Sequence, residues 1–272
     1  MKILVNGEKG GQIAATDRGF QYGDGVFETL RVRNGKPLLW DRHWKRLCRG
    51  LEQLRIPGIP ETACLEDLQS FATVNECMVK LIVTRGPGPR GYAVPAHARP
   101  TRVTMGGESL ATTIEVDVLR VGLCRTRAGA QPLPGCKHLN RIENVLARME
   151  WGPDWDEGLM LDSSGKAICG TQSNVFILEN EVLLTPPLRR SGIAGTRRSW
   201  LLEHARRAGM RVREEPLPLA RVRAADAMFF SNARIGLRRA CWIDQARSLS
   251  DPGSTGLVDD LQALGAEMHA MA

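Results

Sequence analysis

The chain has 272 residues, 43% of them hydrophobic and 25% charged, which allows a large buried core and excludes a disordered protein. Its net charge of +7 comes mostly from arginines interleaved with acidic residues. With only two Tyr and six Phe, this charge favours a small anionic ligand over nucleic acid. Seven scattered cysteines without a Cys-x-x-Cys spacing, and no apolar run of membrane length, predict a cytoplasmic protein with mostly buried free thiols and no metal or membrane partner.

Residues 1–108 are predicted to form one α/β domain. A short strand at Ile3–Val5 is followed by a longer one at Val26–Val32, which ends at the hairpin signal Asn34-Gly35. Apolar residues recur every three or four positions from Trp40 to Leu54 and predict a helix. The remaining predictions for this domain are a helix at about Glu66–Val74, a strand at Met78–Thr84, and a segment of little regular structure near residues 94–110.

The second half is predicted to begin with a strand at Thr113–Leu123. We expect an interdomain connection over residues 109–130 and a C-terminal domain over 131–272. Asn140 is predicted to open a helix whose apolar residues share one face. Two strand pairs follow, Gly158–Asp162 with Ala167–Gly170 and Asn174–Leu178 with Val182–Thr185. A helix is predicted from Arg197 to about Ala208, and an exposed loop at 250–256.

Two features suggest a phosphate site. Gly195-Thr196-Arg197 forms a glycine turn that leads into a helix, where backbone N–H groups and the helix dipole attract anions. Arg46 lies on the 40–54 helix and carries a guanidinium that matches phosphate bidentately. Taken singly, each feature is better explained by an ordinary structural role, as a loop glycine and a solvated helix arginine.

Lys137 is a candidate nucleophile. It lies in Gly135-Cys-Lys-His-Leu-Asn140, among small or apolar residues just before a helix. A lysine in an apolar cleft loses its charge more easily, and its neutral amine can form an imine with an aldehyde. A surface lysine at the end of a loop is the alternative.

Five segments together resemble the class IV pyridoxal-phosphate enzymes, which include branched-chain and D-amino-acid aminotransferases and aminodeoxychorismate lyases. In chain order these segments are Asp17–Glu28, Arg42–Leu47, Lys137–Arg141, Ser173–Phe176 and Gly192–Arg198. The likeness covers nearly the whole chain. Within the family, Arg85–Tyr92, Lys137–Arg141 and Ser231-Asn-Ala233 look most like the lyase branch.

The resemblance implies an α/β (α+β) fold of two domains, like that of D-amino-acid aminotransferase, and a homodimer with pyridoxal 5'-phosphate in the cleft between domains. Lys137 would hold the cofactor as a Schiff base, and Phe27 would contact the substrate. Arg90 and Tyr92 would lie on a loop that reaches toward an active site, either that of the same subunit or that of the neighbouring subunit. The other implied cofactor ligands are Arg46, Cys169, Asn174, Gly195, the backbone of Thr196 and Arg197, Asn232 and Ala233.

Cys169 departs from the family pattern. Five residues before Asn174, the family places a glutamate that pairs with the pyridine nitrogen of the cofactor and strengthens the ring as an electron sink. Three interpretations are open: the alignment is displaced by one or two residues, Cys169 is a thiolate, or the reaction tolerates a weaker sink. Elimination quickly removes the negative charge that develops on the substrate carbon. A lyase would therefore tolerate cysteine in place of the glutamate better than an aminotransferase would.

The resemblance implies a lyase that converts 4-amino-4-deoxychorismate to 4-aminobenzoate and pyruvate in folate synthesis, with Lys137 as the base. An aminotransferase for branched-chain or D-amino acids on the same fold is the first alternative. A cofactor-binding protein without turnover, made conceivable by Cys169, is the second.

Overall fold

The computed structural model describes residues 1–72, 75–109, 118–243 and 256–270. These residues divide into two compact units. The first comprises the described part of Met1–Ile114 together with Cys136–Asn140, and the second the described parts of Glu115–Gly135 and Arg141–Met271. Within the described ranges, no helix has the length and apolar character needed to cross a membrane.

The first unit is a six-stranded antiparallel sheet with the order β2-β1-β6-β5-β3-β4. Its elements in chain order are β1 (Lys2–Val5), β2 (Glu8–Lys9), α1 (Arg18–Tyr22), β3 (Gly25–Arg33), β4 (Lys36–Pro37), α2 (Trp40–Leu54), α3 (Glu61–Gln69), β5 (Glu76–Thr84) and β6 (Thr101–Ser109). Asn34 and Gly35 both have positive φ, as a two-residue hairpin between β3 and β4 requires.

The core of this unit lies on one face of the sheet. Alternate residues of β3 and β5, such as Leu30 and Leu81, are fully buried there. Helix α2 packs against β3. Gly50 permits the close approach, because a Cβ at this position would lie 2.8 Å from Val26 Cγ1.

Two predictions for this unit are wrong. The helix expected at Glu66–Val74 begins at Glu61, directly after Pro60, and ends at Gln69, and residues 73–74 lie outside the described residues. The segment expected to lack regular structure includes β6, which pairs with both β1 and β5. Gly106 and Gly107 interrupt the alternation in β6, so its extended conformation depends on its two neighbouring strands.

The second unit contains a nine-stranded sheet with the order β12-β11-β10-β14-β15-β7-β8-β9-β13. Its elements are β7 (Val118–Leu123), α4 (Ile142–Arg148), β8 (Glu157–Leu161), β9 (Lys166–Gly170), β10 (Asn174–Glu179), β11 (Val182–Thr185), α5 (Thr196–Arg207), β12 (Arg211–Glu214), β13 (Leu217–Pro218), α6 (Leu219–Arg223), β14 (Ala227–Asn232), β15 (Gly236–Trp242) and α7 (Gly256–Ala270). Both predicted strand pairs, β8 with β9 and β10 with β11, are confirmed.

Three expectations for the second half need correction or lie partly outside the described residues. Helix α4 begins at Ile142 rather than Asn140. Its large apolar side chains are exposed to solvent, and so is Met149 directly after it, with 77% of its surface exposed. Cys136–Asn140 belongs to the first unit, so the C-terminal domain is not the continuous range 131–272. The strand predicted at Thr113–Leu123 is observed over Val118–Leu123, and its residues 113–117 lie outside the described residues. Residues 250–255 of the loop predicted at 250–256 also lie outside them, and Gly256 begins α7.

Cysteines in the described ranges behave as small hydrophobic residues. Six of the seven are buried and Cys48 is partly exposed, and all are free thiols. This confirms the expectation of buried free thiols.

Candidate active site

The Lys137 segment is held against the start of β3 in the first unit. The Phe27 backbone N–H donates to the Lys137 carbonyl at 2.9 Å, and the Leu139 N–H donates to the Gly25 carbonyl at 3.0 Å. Only glycine fits at position 25, because a Cβ there would lie 2.6 Å from the Val83 carbonyl oxygen. The backbone on both sides of Lys137 is therefore fixed by sheet-like hydrogen bonds.

The Lys137 side chain lies over an aromatic ring. Its Nζ is 4.2 Å from the centroid of the Phe27 ring, and the residue is half-buried. An amine in this position has an apolar wall on one side and remains accessible to a small aldehyde. Phe27, predicted as a substrate contact, thus lies beside the predicted nucleophile.

Arg46 is held by a buried carboxylate. Glu28, on the core face of β3, is 1% exposed and accepts a hydrogen bond from Arg46 Nε at 2.8 Å and a second from Arg46 Nη2. His43 Nδ1, one turn earlier on α2, lies 2.6 Å from Glu28 Oε2. Burial raises the pKa of Glu28, but the charges and hydrogen bonds of Arg46 and His43 outweigh it and lower this pKa to about 2.

We expect Glu28→Gln to lower the free energy of unfolding by about 3 kcal/mol, because it removes a buried carboxylate and leaves the half-buried Arg46 guanidinium without this counter-ion. Chemical denaturation at pH 7 measures this loss. The matched control is Glu76→Gln on β5, whose carboxylate also binds two arginines but is 24% exposed, so its loss should be about 1 kcal/mol or less. Equal losses in the two variants would contradict the role of burial.

The Glu28 contribution also has a defined pH dependence. Because folding depresses the pKa of this group from its ordinary 4.5 to about 2, its stabilisation is fully present above pH 4.5 and disappears as the pH falls through about 2. The stability difference between wild type and Glu28→Gln should therefore shrink across this window. A difference that stays constant from pH 6 to pH 2 would refute the assignment.

A glycine loop in the second unit is tied to β10. The Asn174 Nδ2 donates to the Ile193 carbonyl at 2.9 Å, and the Gly135 N–H donates to the Gly192 carbonyl at 3.1 Å. Gly195 lies against the same side chain, since a Cβ at this position would be 2.1 Å from Asn174 Oδ1. Asn174 and Gly195, predicted as cofactor ligands, are thus brought together.

Helix α5 begins directly after this loop. Its N-cap is Gly195, which has no side chain, and its first turn contains no acidic residue. Thr196 and Arg197 are both buried. The Arg197 Nη1 donates to the Met268 carbonyl of α7 at 2.7 Å. The predicted phosphate ligand at position 197 is therefore the backbone N–H of Arg197, because its guanidinium is used in this contact. The positive end of a twelve-residue helix at this loop suits a phosphate group.

Replacing Gly195 with Ala should destabilise this loop. The added Cβ collides with Asn174 Oδ1, and the expected loss in the free energy of unfolding is about 1–3 kcal/mol. Urea denaturation compares the variant with Gly152→Ala, where a Cβ would meet nothing within 4 Å. Wild-type stability in Gly195→Ala would show that the loop does not need glycine at this position.

Cys169 lies inside an apolar cluster of the second unit. It pairs with Met160 across β8 and β9 and packs among residues that include Cys124 and Trp151. Burial raises the pKa of the Cys169 thiol to about 12, and the Glu157 carboxylate acts in the same direction. The thiol is therefore neutral at physiological pH, which removes the thiolate interpretation.

Four other predicted residues have peripheral positions in their units. Asn232 ends β14, where its Oδ1 accepts hydrogen bonds from two backbone N–H groups of the following turn, and Ala233 lies in that turn. Arg90 is exposed, and Tyr92 is 85% exposed with its ring 5.4 Å from that of Tyr22. Their predicted contacts with cofactor or substrate stay predictions.

The sequence interpretation did not assign a role to Glu28 or His43. A carboxylate at a core-facing position of an alternating strand was the available signal, because a buried charge needs a partner. The spacing of His43 and Arg46 on one face of α2 would then have pointed to that partner.

The chain is similar to proteins of one family over most of its length. The family model described as amino-transferase class IV matches residues 25–243. An aminodeoxychorismate lyase from Vibrio harveyi is 33% identical over 86% of this chain and 88% of that protein. A putative branched-chain-amino-acid aminotransferase from Methanocaldococcus jannaschii is 32% identical over 85% of this chain and 84% of its own length. A crystal structure of 4-amino-4-deoxychorismate lyase from Pseudomonas aeruginosa superimposes with a TM-score of 0.83 at 40% identity, covering 88% of this chain and 90% of that one. The chain therefore belongs to the class IV aminotransferase family, and its cofactor is pyridoxal phosphate.

Proposed function

We propose that this protein is an aminodeoxychorismate lyase, which converts 4-amino-4-deoxychorismate to 4-aminobenzoate and pyruvate for folate synthesis. The observation that carries the proposal is the Lys137 amine, half-buried over Phe27 on a backbone held by β3. The similarity to lyases from two sources, at 33% and 40% identity, supports the choice of substrate.

The described residues fit the cofactor. The phosphate suits the N-terminus of α5, where Gly195 lies so close to Asn174 that a Cβ would collide. We assign the backbone of Thr196 and Arg197, together with the Arg46 guanidinium, to the phosphate. Asn174 supports the loop, and Asn232 and Ala233 are assigned to the phosphate or substrate side. Lys137 would hold the cofactor covalently.

Pyridoxal phosphate, when bound, supplies an aldehyde that condenses with amines and a ring that withdraws electrons from the carbon next to the nitrogen. The protein contributes the proton transfers. The Lys137 amine, freed when the substrate amine takes its place, would accept the proton from the amine-bearing ring carbon of the substrate, and the bond between the adjacent carbon and the enolpyruvyl oxygen would break. The six-membered ring becomes aromatic, and the departing enolpyruvate takes up a proton to become pyruvate.

Each positioned group has a defined task in this scheme. The sheet-like hydrogen bonds around Lys137 hold the amine in place, so that proton abstraction occurs within one complex. The Phe27 ring excludes water from one side of the amine. Glu28 positions Arg46, and Arg90 and Tyr92 are assigned to the substrate.

The test is a product assay. Purified protein supplied with pyridoxal phosphate and aminodeoxychorismate should release 4-aminobenzoate and pyruvate in equal amounts. The proposal would be overturned if the protein shows the visible absorbance of lysine-bound cofactor but releases neither product.

An aminotransferase remains the second candidate, because a relative at 32% identity is a putative branched-chain aminotransferase and several at 29–30% are D-alanine aminotransferases. Its signature is amino transfer that depends on an added keto acid. The same protein is assayed with branched-chain and D-amino acids plus 2-oxoglutarate. Amino transfer faster than pyruvate release from aminodeoxychorismate would favour this candidate.

A homodimer is also part of the proposal. Helix α4 presents large apolar side chains to the surface, with Ile142 68% and Val145 52% exposed. Isolated soluble proteins rarely expose such a cluster. Light scattering on the purified protein should give twice the chain mass of 30.0 kDa.

A further inference from the structure

Helix α7 packs against the second unit through one stripe of residues. Four buried residues recur along it at three- and four-residue spacing: Val258, Leu261, Gly265 and Met268. Gly265 lets the helix approach β15 closely, because a Cβ at this position would lie 3.3 Å from Leu237 Cβ. The helix also contacts α5. It therefore packs on the helix whose first turn is assigned to the cofactor phosphate.

One hydrogen bond joins the last turn of α7 to the first turn of α5. The Arg197 Nη1 donates to the Met268 carbonyl at 2.7 Å, and the bond is buried. Arg197 is only 2% exposed, and it is the second residue of α5. Its backbone thus belongs to the assigned phosphate cradle, while its side chain extends to α7.

This bond suits both partners. The last four carbonyl groups of an α-helix have no acceptor role within the helix, and Met268 is among the last four residues of α7. The C-terminal end of a helix also carries a partial negative charge, which attracts a guanidinium. A hydrogen bond from a charged donor is stronger than one between neutral groups. Displacing α7 would take this acceptor away from a buried cation, which is costly.

We propose that α7 is part of the cofactor site, because its bond to Arg197 holds the first turn of α5 in the conformation that receives the phosphate. The Arg197 side chain is then a positioning group, which acts through its own backbone. The inference rests on the phosphate site of the proposed function but not on the choice between lyase and aminotransferase. By thermodynamic linkage, the bound cofactor should in turn stabilise the packing of α7.

The experiment compares the binding of pyridoxal phosphate with that of pyridoxal, which has the same aldehyde but no phosphate. In Arg197→Met, the dissociation constant of pyridoxal phosphate should rise about 10-fold, as expected for losing one hydrogen bond from a charged group. The dissociation constant of pyridoxal should change little. Arg197→Lys should keep most of the affinity, because an ammonium can still donate to the Met268 carbonyl. Visible absorbance during titration of the cofactor-free protein follows both ligands.

Two further variants calibrate this comparison. Leu217→Ala removes a fully buried side chain from β13, at the opposite edge of the nine-stranded sheet from β12. It should lower the melting temperature but leave the ratio of the two dissociation constants at the wild-type value. Gly195→Ala distorts the phosphate loop itself and should weaken the binding of pyridoxal phosphate more than that of pyridoxal.

Hydrogen exchange supplies a second measurement. Amide exchange over residues 256–268 is followed by mass spectrometry in wild type and Arg197→Met, with and without pyridoxal phosphate. The cofactor should slow exchange in α7 of the wild type, and this protection should be lost in the variant. Both measurements use cofactor without substrate, so a failed product assay would overturn the lyase function and leave them unaffected.

Three outcomes would overturn the role of α7. One is a wild-type ratio of dissociation constants in folded Arg197→Met while Gly195→Ala loses pyridoxal phosphate selectively. Another is an equal loss of both ligands in Arg197→Met, which would show a general structural role. The third is equal exchange of α7 with and without cofactor in the wild type. Wild-type ratios in both Arg197→Met and Gly195→Ala would overturn the phosphate site itself, and the inference with it.

Discussion

Lys137→Ala should abolish pyruvate release from aminodeoxychorismate, with a loss of about 10⁴-fold or more, because it removes both the covalent attachment of the cofactor and the base. The visible absorbance of lysine-bound cofactor should disappear at the same time. Product formation by stopped assay and an absorbance spectrum of the dialysed protein measure the two effects. Since Lys137 lies on the sheet surface over Phe27 rather than in the core, the variant should keep its fold.

Lys36→Ala serves as the control, because Lys36 is exposed on β4 and has no assigned role. It should retain wild-type activity and absorbance. If a folded Lys137→Ala protein keeps either pyruvate release or the absorbance of lysine-bound cofactor, the assignment of position 137 is wrong.

Cys169 should set the balance between elimination and amino transfer. The resemblance places Cys169 at the pyridine nitrogen, where a neutral thiol would be a poor partner for a protonated nitrogen, so the ring would withdraw electrons less strongly. Elimination removes the developing charge at once by expelling enolpyruvate. Amino transfer must hold that charge until a proton returns to the cofactor. Wild type should therefore favour elimination, and Cys169→Glu should raise amino transfer by about 10-fold or more relative to elimination.

Both activities are measured in wild type, Cys169→Glu and Cys169→Ser, where serine keeps a neutral side chain and controls for altered packing. Cys169→Glu also buries a carboxylate near Glu157, so its melting temperature is measured alongside. Because the pKa of Cys169 is about 12, the wild-type balance should show no thiol titration between pH 6 and pH 10. The hypothesis would be refuted if the rate of amino transfer by the wild type equals or exceeds its rate of elimination.

Local sequence signals were sufficient where a segment determines its own conformation. The three- and four-residue spacing from Trp40 to Leu54 predicted α2 with its observed ends. The Asn34-Gly35 turn was predictable because few residues adopt positive φ in succession. The family and the cofactor followed from five short motifs whose order along the chain is specific, and the role of Lys137 stays a prediction.

Long-range pairing decided the rest. Strand β6 has no clear alternation of its own and becomes extended because β1 and β5 supply its hydrogen bonds. The Cys136–Asn140 segment joins the first unit through hydrogen bonds to β3, more than a hundred residues earlier in the chain.

The sequence by itself determined the residue types of the site: an amine at position 137, an arginine at 46, a glycine turn before α5, and a thiol where the family has a carboxylate. Only the tertiary structure decided their surroundings. It buried Glu28 against Arg46, made the Cys169 thiol neutral, and placed the Lys80 amine over the Phe27 ring. Charge states and partners depend on burial and on neighbours distant in sequence, and these exist only once the strands have paired.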